Sequence, residues 1–252
     1  MDDSNKYGTL DRQKELLIML KKIDAFCQKY GVSYSLAGGS LLGAVRHNGF
    51  IPWDDDVDLM VDRDNLQKFL KAFQEHPDET PYCLNRYLWI YRIQEVDDAS
   101  KGILRPTIDI FVLDNCPDST FQRKYKTFVI KMLQGMMKVK PDYEGKSFVM
   151  KACVFITHLL GKVFSEDSLF REYDKISQMG NETQSRFVSA YDYPFGYLNR
   201  KYNSNLMNNC ELHQFEDVEL PITTEYDHYL TEQYGDYMTP PKEENRVSEH
   251  MK

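Results

Sequence analysis

The chain has 252 residues, which is enough to bury a substantial hydrophobic core. Hydrophobic residues make up 42% of it and aromatic residues 13%, a composition that excludes general disorder. The net charge of −8 argues against a general nucleic-acid binder, because such proteins usually carry a basic surplus.

The cysteines and the N-terminus both favour a reducing compartment. The five cysteines are odd in number and include no C-x-x-C pair, so they indicate neither a disulfide framework nor a zinc ribbon. The N-terminal sequence MDDSNKYGTLDRQ is polar and has no apolar stretch of the kind found in secretory signals. We therefore expect a cytoplasmic protein.

The first predicted element is a helix from about residue 9 to residue 30, where apolar residues recur at helical spacing. Gly31 should end this helix, since glycine tolerates the left-handed conformation that closes a helix. Residues 32–37 are predicted to form the first strand, which leads directly into a turn of small residues.

That turn consists of Gly38, Gly39 and Ser40. Because the two glycines lack a Cβ, the backbone here can come close to a ligand, and Ser40 stands where the next helix should begin. Free N–H groups at the start of a helix suit a phosphate. The turn is therefore predicted to be a phosphate cradle.

An acidic cluster follows, with four carboxylates in five positions: Asp54, Asp55, Asp56 and Asp58. If residues 56–61 form a strand, the alternation of side chains places Asp56 and Asp58 on one face together with Met60. Two carboxylates on one face repel each other without a cation. Because oxygen ligands favour hard cations, the pair predicts half of a site for Mg²⁺ or Mn²⁺.

Two other interpretations of the cluster were weighed. An EF-hand counted from Asp54 would need Gly at the sixth position and Glu at the twelfth, but the chain has Leu59 and Asn65 there. A solvated acidic turn is the simpler alternative. The preceding Gly-Gly-Ser turn and the apolar strand that follows favour the metal site.

A third carboxylate is expected from a neighbouring strand over residues 107–113. Apolar residues alternate along this segment and place Asp109 in mid-strand, where an aspartate is disfavoured unless a partner compensates its charge. A shared metal would be that partner. Asp114 falls at the predicted strand end and should be a turn or helix-cap residue.

Three further residues are candidate substrate contacts. Arg92, in a strand predicted over residues 88–96, is either a phosphate ligand or a structural ion-pair partner. Arg46 lies between the glycine turn and the acidic cluster. Its neighbour His47 would contact substrate or, as we prefer, form a hydrogen bond at the helix end.

Residues 121–164 differ in composition from the rest of the chain. Nine Lys and Arg residues stand against Asp142 and Glu144, a local net charge of +7. The segment begins with an apolar stripe at helical spacing, namely Phe121, Tyr125, Phe128, Met132 and Met136. Such a basic amphipathic helix can rest on an anionic membrane surface. The preferred alternative packs the stripe on the catalytic core and leaves the lysines solvated.

The C-terminal part is predicted to contain a helix capped by Ser165, a β-hairpin over residues 213–221 with its turn at Glu216-Asp217, and a helix over residues 225–234. Four tyrosines cluster here: Tyr226, Tyr229, Tyr234 and Tyr237. They could form an aromatic cage for a quaternary ammonium group. Core packing is the simpler explanation, since their spacing is also helical.

Three segments together resemble the LicD/fukutin family of phosphotransferases, which is built on the nucleotidyltransferase-like fold of polymerase β. They are AGGSLLGAVRHNGFIPWDDDVDLMV, IDIFVLDNCPD and FEDVELPITTEYDHYLTEQYGDYMTPP. The resemblance implies an α/β (α+β) fold with a mixed sheet and a mainly helical addition. We accordingly expect a catalytic core over residues 1–118, a basic helical insertion over 119–184 and a C-terminal segment over 185–252 that packs back on the core.

The resemblance also implies a reaction. A phospho-alcohol group, typically phosphocholine, would pass from a CDP-linked donor such as CDP-choline to a cell-surface glycan of the teichoic acid, lipooligosaccharide or capsule type, with release of CMP. Asp56, Asp58 and Asp109 would hold one or two Mg²⁺ or Mn²⁺ ions, and Asp109 would also be the general base. The acceptor would be a glycan or lipid-linked glycan reached from the inner face of the membrane, and no nucleic acid partner is expected.

Two alternatives stay open at this point. The same metal site could transfer a nucleotidyl group from an NTP to a small-molecule or sugar acceptor, because the fold does not distinguish the two reactions. A scaffold that keeps the fold without catalysis is the non-enzymatic alternative. The intact carboxylates Asp56, Asp58 and Asp109 argue against it.

Overall fold

The computed structural model describes residues 4–101 and 106–246, and within these ranges the chain divides into two units. Among the described residues, the first unit comprises residues 4–85, 91–101, 106–112 and 205–246, and the second comprises residues 86–90 and 113–204. The helices are α1 (Ser4–Tyr7), α2 (Leu10–Tyr30), α3 (Gly38–His47), α4 (Arg63–Glu75), α5 (Val96–Lys101), α6 (Thr120–Met137), α7 (Phe148–Gly161), α8 (Glu166–Ser177) and α9 (Tyr226–Tyr234), and a 3₁₀ turn spans Glu243–Asn245. The strands are β1 (Ser35–Leu36), β2 (Val57–Asp62), β3 (Tyr82–Tyr87), β4 (Ile90–Glu95), β5 (Ile108–Asn115), β6 (Phe187–Ala190), β7 (Tyr202–Asn203), β8 (Cys210–Phe215) and β9 (Val218–Thr223).

The long helix α2 forms and ends as its sequence predicts. Leu16, Leu20 and Ile23 recur at helical spacing and are fully buried, so one stripe of the helix contributes to the core of the first unit. Gly31 adopts the left-handed conformation with φ of 64°. The next amide, that of Val32, donates to the carbonyl of Cys27 at 2.9 Å, which satisfies a helix-end acceptor.

The sheet of the first unit brings the two acidic strands together. Its strand order is β1-β2-β5-β4-β3, so β2 and β5 are hydrogen-bonded neighbours, as the sequence predicted. β1 pairs antiparallel with β2, and Ser35 lies opposite Met60. β4 pairs antiparallel with β5, and this register places Arg92 opposite Asp109. Helices together with a central sheet confirm the expected α/β class.

Four predicted details differ from the structure. The first strand is limited to two residues, and α3 begins at Gly38 rather than at Ser40, with Ala37 as its N-cap. Met60 was predicted to share the exposed face of the two carboxylates but is fully buried, so this face of β2 is open at Asp58 and covered two residues further on. Asp114 lies inside β5 rather than in a turn, and the side-chain amide of Asn181 donates to it at 2.6 Å.

The predicted cap of α8 and the predicted C-terminal hairpin are confirmed, and α4 is capped in a similar way. Asp62 accepts a hydrogen bond from the amide of Asn65 at 2.7 Å at the start of α4, and Ser165 caps α8 in the same way. β8 and β9 form the predicted hairpin with Phe215 opposite Val218. Glu216, in its turn, takes a left-handed φ of 56°.

In the second unit, the last residues of β5 pair with β6, and β6 pairs with β7. The helices α7 and α8 pack on α6, whose Lys126 is fully buried and donates to the carbonyl of Asn115 at 3.0 Å. The predicted stripe along α6 does not pack as preferred. Its first three members are exposed by the following fractions: Phe121 79%, Tyr125 50% and Phe128 62%.

No single helix among the described residues is both long enough and apolar enough to cross a membrane. The pair α7 and α8 meets the length and composition criterion together, but the two helices bend by 117° at their junction.

Candidate active site

The acidic segment before β2 directs alternate side chains in opposite directions. Asp54, Asp56 and Asp58 are partly exposed and line one cavity, whereas Asp55 and Val57 between them are fully buried. An extended backbone has this period of two. Three carboxylates therefore share one face, one more than the two that the sequence analysis assigned to it.

Asp55, on the other face, helps to anchor this segment to α2. Its carboxylate lies 3.9 Å from Nε of Arg12, and the same Nε donates to the Asp55 carbonyl at 2.5 Å. Gln13, the next residue of α2, donates through its amide nitrogen to the carbonyls of Ile51 at 3.0 Å and Asp54 at 2.8 Å. Two consecutive residues of α2 thus hold the loop that presents the three carboxylates.

The two glycines at the start of α3 face those carboxylates directly. A Cβ added at Gly38 would lie 2.5 Å from Oδ2 of Asp58, and a Cβ added at Gly39 would lie 2.5 Å from Oδ2 of Asp54. These distances are too short for carbon and oxygen. The glycines therefore allow the helix N-terminus to come close to the carboxylates, whose negative charge is favoured there by the helix dipole.

Two residues of the glycine turn, Gly38 and Ser40, form hydrogen bonds with other parts of the protein. The Gly38 amide donates to the hydroxyl of Tyr229 at 3.1 Å, and the hydroxyl of Ser40 accepts from the amide of Asp58 at 3.0 Å. Of the three residues predicted as a phosphate cradle, Gly39 lines the cavity. Tyr229 was predicted as core or cage, and its role as the partner of Gly38 could not be inferred from its helical spacing.

Burial and mutual repulsion make it energetically unfavourable for these carboxylates to be ionised at the same time. Burial raises the pKa of Asp58 well above its ordinary value, and the negative charges of Asp56, Asp109 and Asp54 raise it further. Burial also raises the pKa of Asp54, with Asp56 as the next largest cause. A group of acids that close together needs a proton or a cation to be stable.

Asp109 is already paired in this structure. Nε of Arg92 donates to one of its oxygens at 2.6 Å and Nη2 donates to the other at 2.8 Å, across the β4–β5 ladder. This is the bidentate geometry that arginine forms with carboxylates. Of the two roles weighed for Arg92, the ion pair is the one formed, while phosphate binding stays a prediction.

The cavity beside the carboxylates has a volume of about 470 Å³. Besides the three aspartates and Gly39, its walls are Leu42, Arg46, Ile51, Trp53, Tyr234, Asp236, Tyr237, Thr239, Pro241 and Asn245. Asp54 could have been predicted from its spacing of two before Asp56. Tyr234 and Tyr237, two of the four tyrosines weighed as an aromatic cage, belong to the C-terminal wall of the cavity. The other residues of that wall reach the site only through the tertiary fold and carry no local sequence signal.

Arg46 and His47 occupy different positions although they are neighbours. Arg46 lines the cavity, and its Nη1 donates to the carbonyl of Tyr237 at 2.7 Å. His47 receives a hydrogen bond from Nε of Arg46 at 3.4 Å and meets the ring of Trp53 edge-on. Burial, helped by the charges of Arg46 and Arg246, lowers the pKa of His47 to about 4. Its ring is therefore neutral at physiological pH.

The donor set suits a hard divalent cation. Within residues 4–101 and 106–246 no group of three or more histidine, cysteine, aspartate or glutamate side chains is arranged so that it could hold a metal ion as it stands. The facing Asp54, Asp56 and Asp58 nevertheless supply only oxygen atoms, which are the ligands that such a cation prefers. A bound cation would also relieve the repulsion that, after burial, raises the pKa of Asp54 and Asp58.

Comparisons with known proteins agree with the motifs. Residues 31–101 match the family model described as LicD/FKTN/FKRP, nucleotidyltransferase domain. The chain is 27% identical to the lipopolysaccharide cholinephosphotransferase LicD of Haemophilus influenzae over 96% of this chain and 95% of that protein. It is also 72% identical to human ribitol 5-phosphate transferase FKRP over 31 residues, which are 12% of this chain and 6% of that protein.

Proposed function

We propose that this chain is a phosphotransferase that moves a phospho-alcohol group onto a glycan, because residues 31–101 match the family model described as LicD/FKTN/FKRP, nucleotidyltransferase domain. The names of two relatives, a lipopolysaccharide cholinephosphotransferase and a ribitol 5-phosphate transferase, describe this class of reaction. The observation that carries the proposal is the set of three carboxylates, Asp54, Asp56 and Asp58, pressed against the glycines that open α3.

The donor we propose is a CDP-linked alcohol, with CDP-choline first. Three aromatic residues, Trp53, Tyr234 and Tyr237, line the cavity together with Asp236. Aromatic rings and a carboxylate are the groups that bind a quaternary ammonium. The guanidinium of Arg246 lies 5.0 Å from the ring centroid of Trp53, so this ring already accommodates a cation. Choline would use the same type of contact.

Different residues of the chain would bind the donor phosphates and the metal ion. Arg46 would place a positive charge beside the donor phosphates, and the absence of a side chain at Gly39 would let them approach the helix N-terminus. Asp54, Asp56 and Asp58 would hold Mg²⁺ or Mn²⁺. When bound, such an ion would neutralise charge that develops on the pyrophosphate.

The proposed reaction is a displacement at phosphorus. A glycan hydroxyl forms a bond to the phosphorus that carries the alcohol, the bond from that phosphorus to CMP breaks, and CMP leaves with the electron pair. The hydroxyl proton passes to a carboxylate. We keep Asp109 as the proposed base, although both of its oxygens are held by Arg92 here, so one of these hydrogen bonds must open for the transfer.

The acceptor is proposed to be a cell-surface glycan or its lipid-linked precursor, modified at the inner face of the membrane. The relative from Haemophilus influenzae is named for action on lipopolysaccharide, which supports an acceptor of this kind. A cytoplasmic location is part of the same proposal.

Nucleotidyl transfer from an NTP is the second candidate, because the matched domain is described as a nucleotidyltransferase domain. The two reactions give different products. The protein with Mg²⁺, CDP-choline and a glycan acceptor such as lipopolysaccharide should release CMP, whereas nucleotidyl transfer from CTP to the acceptor would release pyrophosphate.

The test is therefore a product analysis with a panel of donors: CDP-choline, CDP-ethanolamine, CDP-glycerol, CDP-ribitol and the four NTPs. We expect CMP from at least one CDP-alcohol and none from Asp58→Asn. Pyrophosphate from an NTP, with no CMP from any CDP-alcohol, would replace the proposal by the second candidate.

A further inference from the structure

Helix α7 exposes its largest apolar side chains. Phe148 is 87% exposed, Phe155 58% and Leu159 55%, and the segment after the helix continues the pattern with Val163 at 77%. Only Thr157 among the α7 residues is buried. A helix that packs on a globular domain normally does the reverse and buries its large apolar residues.

The outward orientation has a structural cause, which is a contact between small residues of α6 and α7. A Cβ added at Gly135 of α6 would lie 2.7 Å from the hydroxyl oxygen of Thr157, and a Cβ at Gly161 would collide with the carbonyl oxygen of Met136. The two helices therefore approach closely through their smallest residues. Such small-residue contacts need no large side chain between the helices, so all of these side chains on α7 are left outside.

The exposed residues form one broad surface. At 3.6 residues per turn they occupy an arc of about 140° around the helix, opposite Thr157 and Gly161. We call this arc the α7 face, and it consists of Phe148, Val149, Phe155, Ile156, Leu159, Leu160 and Val163. Lys151 and Lys162 lie along one of its edges by the same geometry. An apolar arc with basic residues at its edge is typical of helices that lie in a membrane interface.

The charge around the α7 face indicates which of two partners it binds, a second copy of this chain or a lipid surface. Residues 121–164 carry a net charge of +7, although the whole chain carries −8. A second copy of this chain would bring the same positive charge against itself, which disfavours self-association through this face. Anionic lipid headgroups are complementary to it.

We infer that the α7 face inserts into the headgroup region of an anionic membrane leaflet and holds the protein on that surface. The helix has 14 residues and is about 21 Å long, shorter than the roughly 30 Å of a bilayer core, so it would lie along the interface. Apolar burial would supply the binding free energy and the lysines the preference for anionic lipid. The inference does not depend on catalysis, but such a surface would bring the protein to a lipid-linked acceptor.

The experiment is co-sedimentation of the full-length protein with vesicles, without donor or acceptor. We expect binding to vesicles of phosphatidylcholine with phosphatidylglycerol, weaker binding to phosphatidylcholine alone, and release at high salt. The double variant Phe155→Ser/Leu159→Ser should lower the partition coefficient about tenfold or more, because it removes two apolar side chains from the proposed contact. Both residues are more than half exposed, so the fold should tolerate the change.

Matched controls separate this effect from general surface properties. Leu212→Ser, at a residue of β8 that is 62% exposed, should leave vesicle binding unchanged. Lys151→Glu/Lys162→Glu should reduce the preference for anionic vesicles, whereas Lys14→Glu on α2, where the side chain is 63% exposed, should not. Equal binding of the wild-type protein and the Phe155→Ser/Leu159→Ser variant would overturn the inference. So would a dimer in solution that this variant abolishes, because the α7 face would then belong to a second copy.

Discussion

Arg92 donates to both carboxylate oxygens of Asp109, at 2.6 and 2.8 Å, from the directly opposite position in the neighbouring strand. Both side chains are more than four-fifths buried. The pair lies next to the acidic cluster, since the charge of Asp109 contributes to the raised pKa of Asp58. Arg92 therefore offsets one of the negative charges that converge on the site.

Arg92→Met should destabilise the fold by about 2 to 3 kcal/mol, because it leaves the carboxylate of Asp109 buried without its partner. Arg92→Lys should cost less, since it keeps the charge and loses only the bidentate geometry. Urea unfolding at pH 7 measures both. Identical midpoints for the wild-type protein and Arg92→Met would mean that the pair does not stabilise the fold.

Metal binding should depend on Asp58. Mg²⁺ or Mn²⁺ at millimolar concentration should raise the melting temperature of the wild-type protein, because a ligand that binds only the native state stabilises it. Asp58→Asn should abolish this shift and lower the rate of CMP release about a hundredfold or more. It should not lower the melting temperature without metal, since it removes one of the repelling charges. Asp78→Asn, at an exposed residue, is the control, and an equal metal-induced shift in both variants would remove Asp58 from the metal site.

Gly39→Ala should lower the activity while leaving the stability of the fold nearly unchanged. The new Cβ would displace the end of the Asp54 side chain, so the rate of CMP release should fall about tenfold or more. The free energy of unfolding should change by less than about 1 kcal/mol, because a flexible carboxylate can move and alanine favours the helix. Gly196→Ala is the matched control, since a Cβ there meets no atom within 4 Å. Full activity in Gly39→Ala would show that this close approach is not needed for catalysis.

His47 should make the fold less stable in mild acid. Its pKa is lowered to about 4 in the folded protein, and the unfolded chain has the ordinary value of about 6.5. Between these values the unfolded state binds more protons, so the free energy of unfolding falls as the pH falls from about 6.5 to about 4. His47 is only half buried, which limits its contribution to about 1 kcal/mol.

The measurement for His47 is urea unfolding at pH 7 and pH 5 in parallel. His47→Gln should lose less stability than the wild-type protein between these two pH values, because glutamine does not titrate. The variant His228→Gln, at an exposed histidine of α9, should behave like the wild-type protein. The assignment fails if His47→Gln and the wild-type protein lose the same amount.

Trp53 should determine the preference for a choline donor. Trp53→Leu should raise the KM for CDP-choline about three- to thirty-fold while changing the KM for CDP-ribitol much less, because only choline carries a cation that binds an aromatic face. Trp53→Phe should retain part of the preference. An equal effect on both donors would show that Trp53 contributes shape to the cavity and not recognition of the ammonium group.

Much of the site could be predicted because its signals are local. The glycine pair and the alternating aspartates lie within 21 residues of one another, and the period of an extended chain is enough to place Asp56 and Asp58 on one face. The position of Asp109 in mid-strand indicated that it needs a partner, although the local pattern could not identify Arg92 as that partner. Antiparallel register decided it, because pairing across strands depends on which residues lie opposite each other.

By itself, the sequence determined the elements whose causes are local: the helix ended by Gly31, the cap Ser165, the hairpin turn at Glu216-Asp217 and the acidic face beside the glycine turn. Only the tertiary structure decided that Tyr229 holds the Gly38 amide, that the C-terminal segment forms a wall of the cavity, and that α7 presents its large side chains to the outside. The first two features join residues that are far apart in the chain. The third depends on which side of an almost wholly apolar helix packs against another helix. Periodicity describes the face of a helix, but the contact between Gly135 and Thr157 selected the side of α7 that is buried.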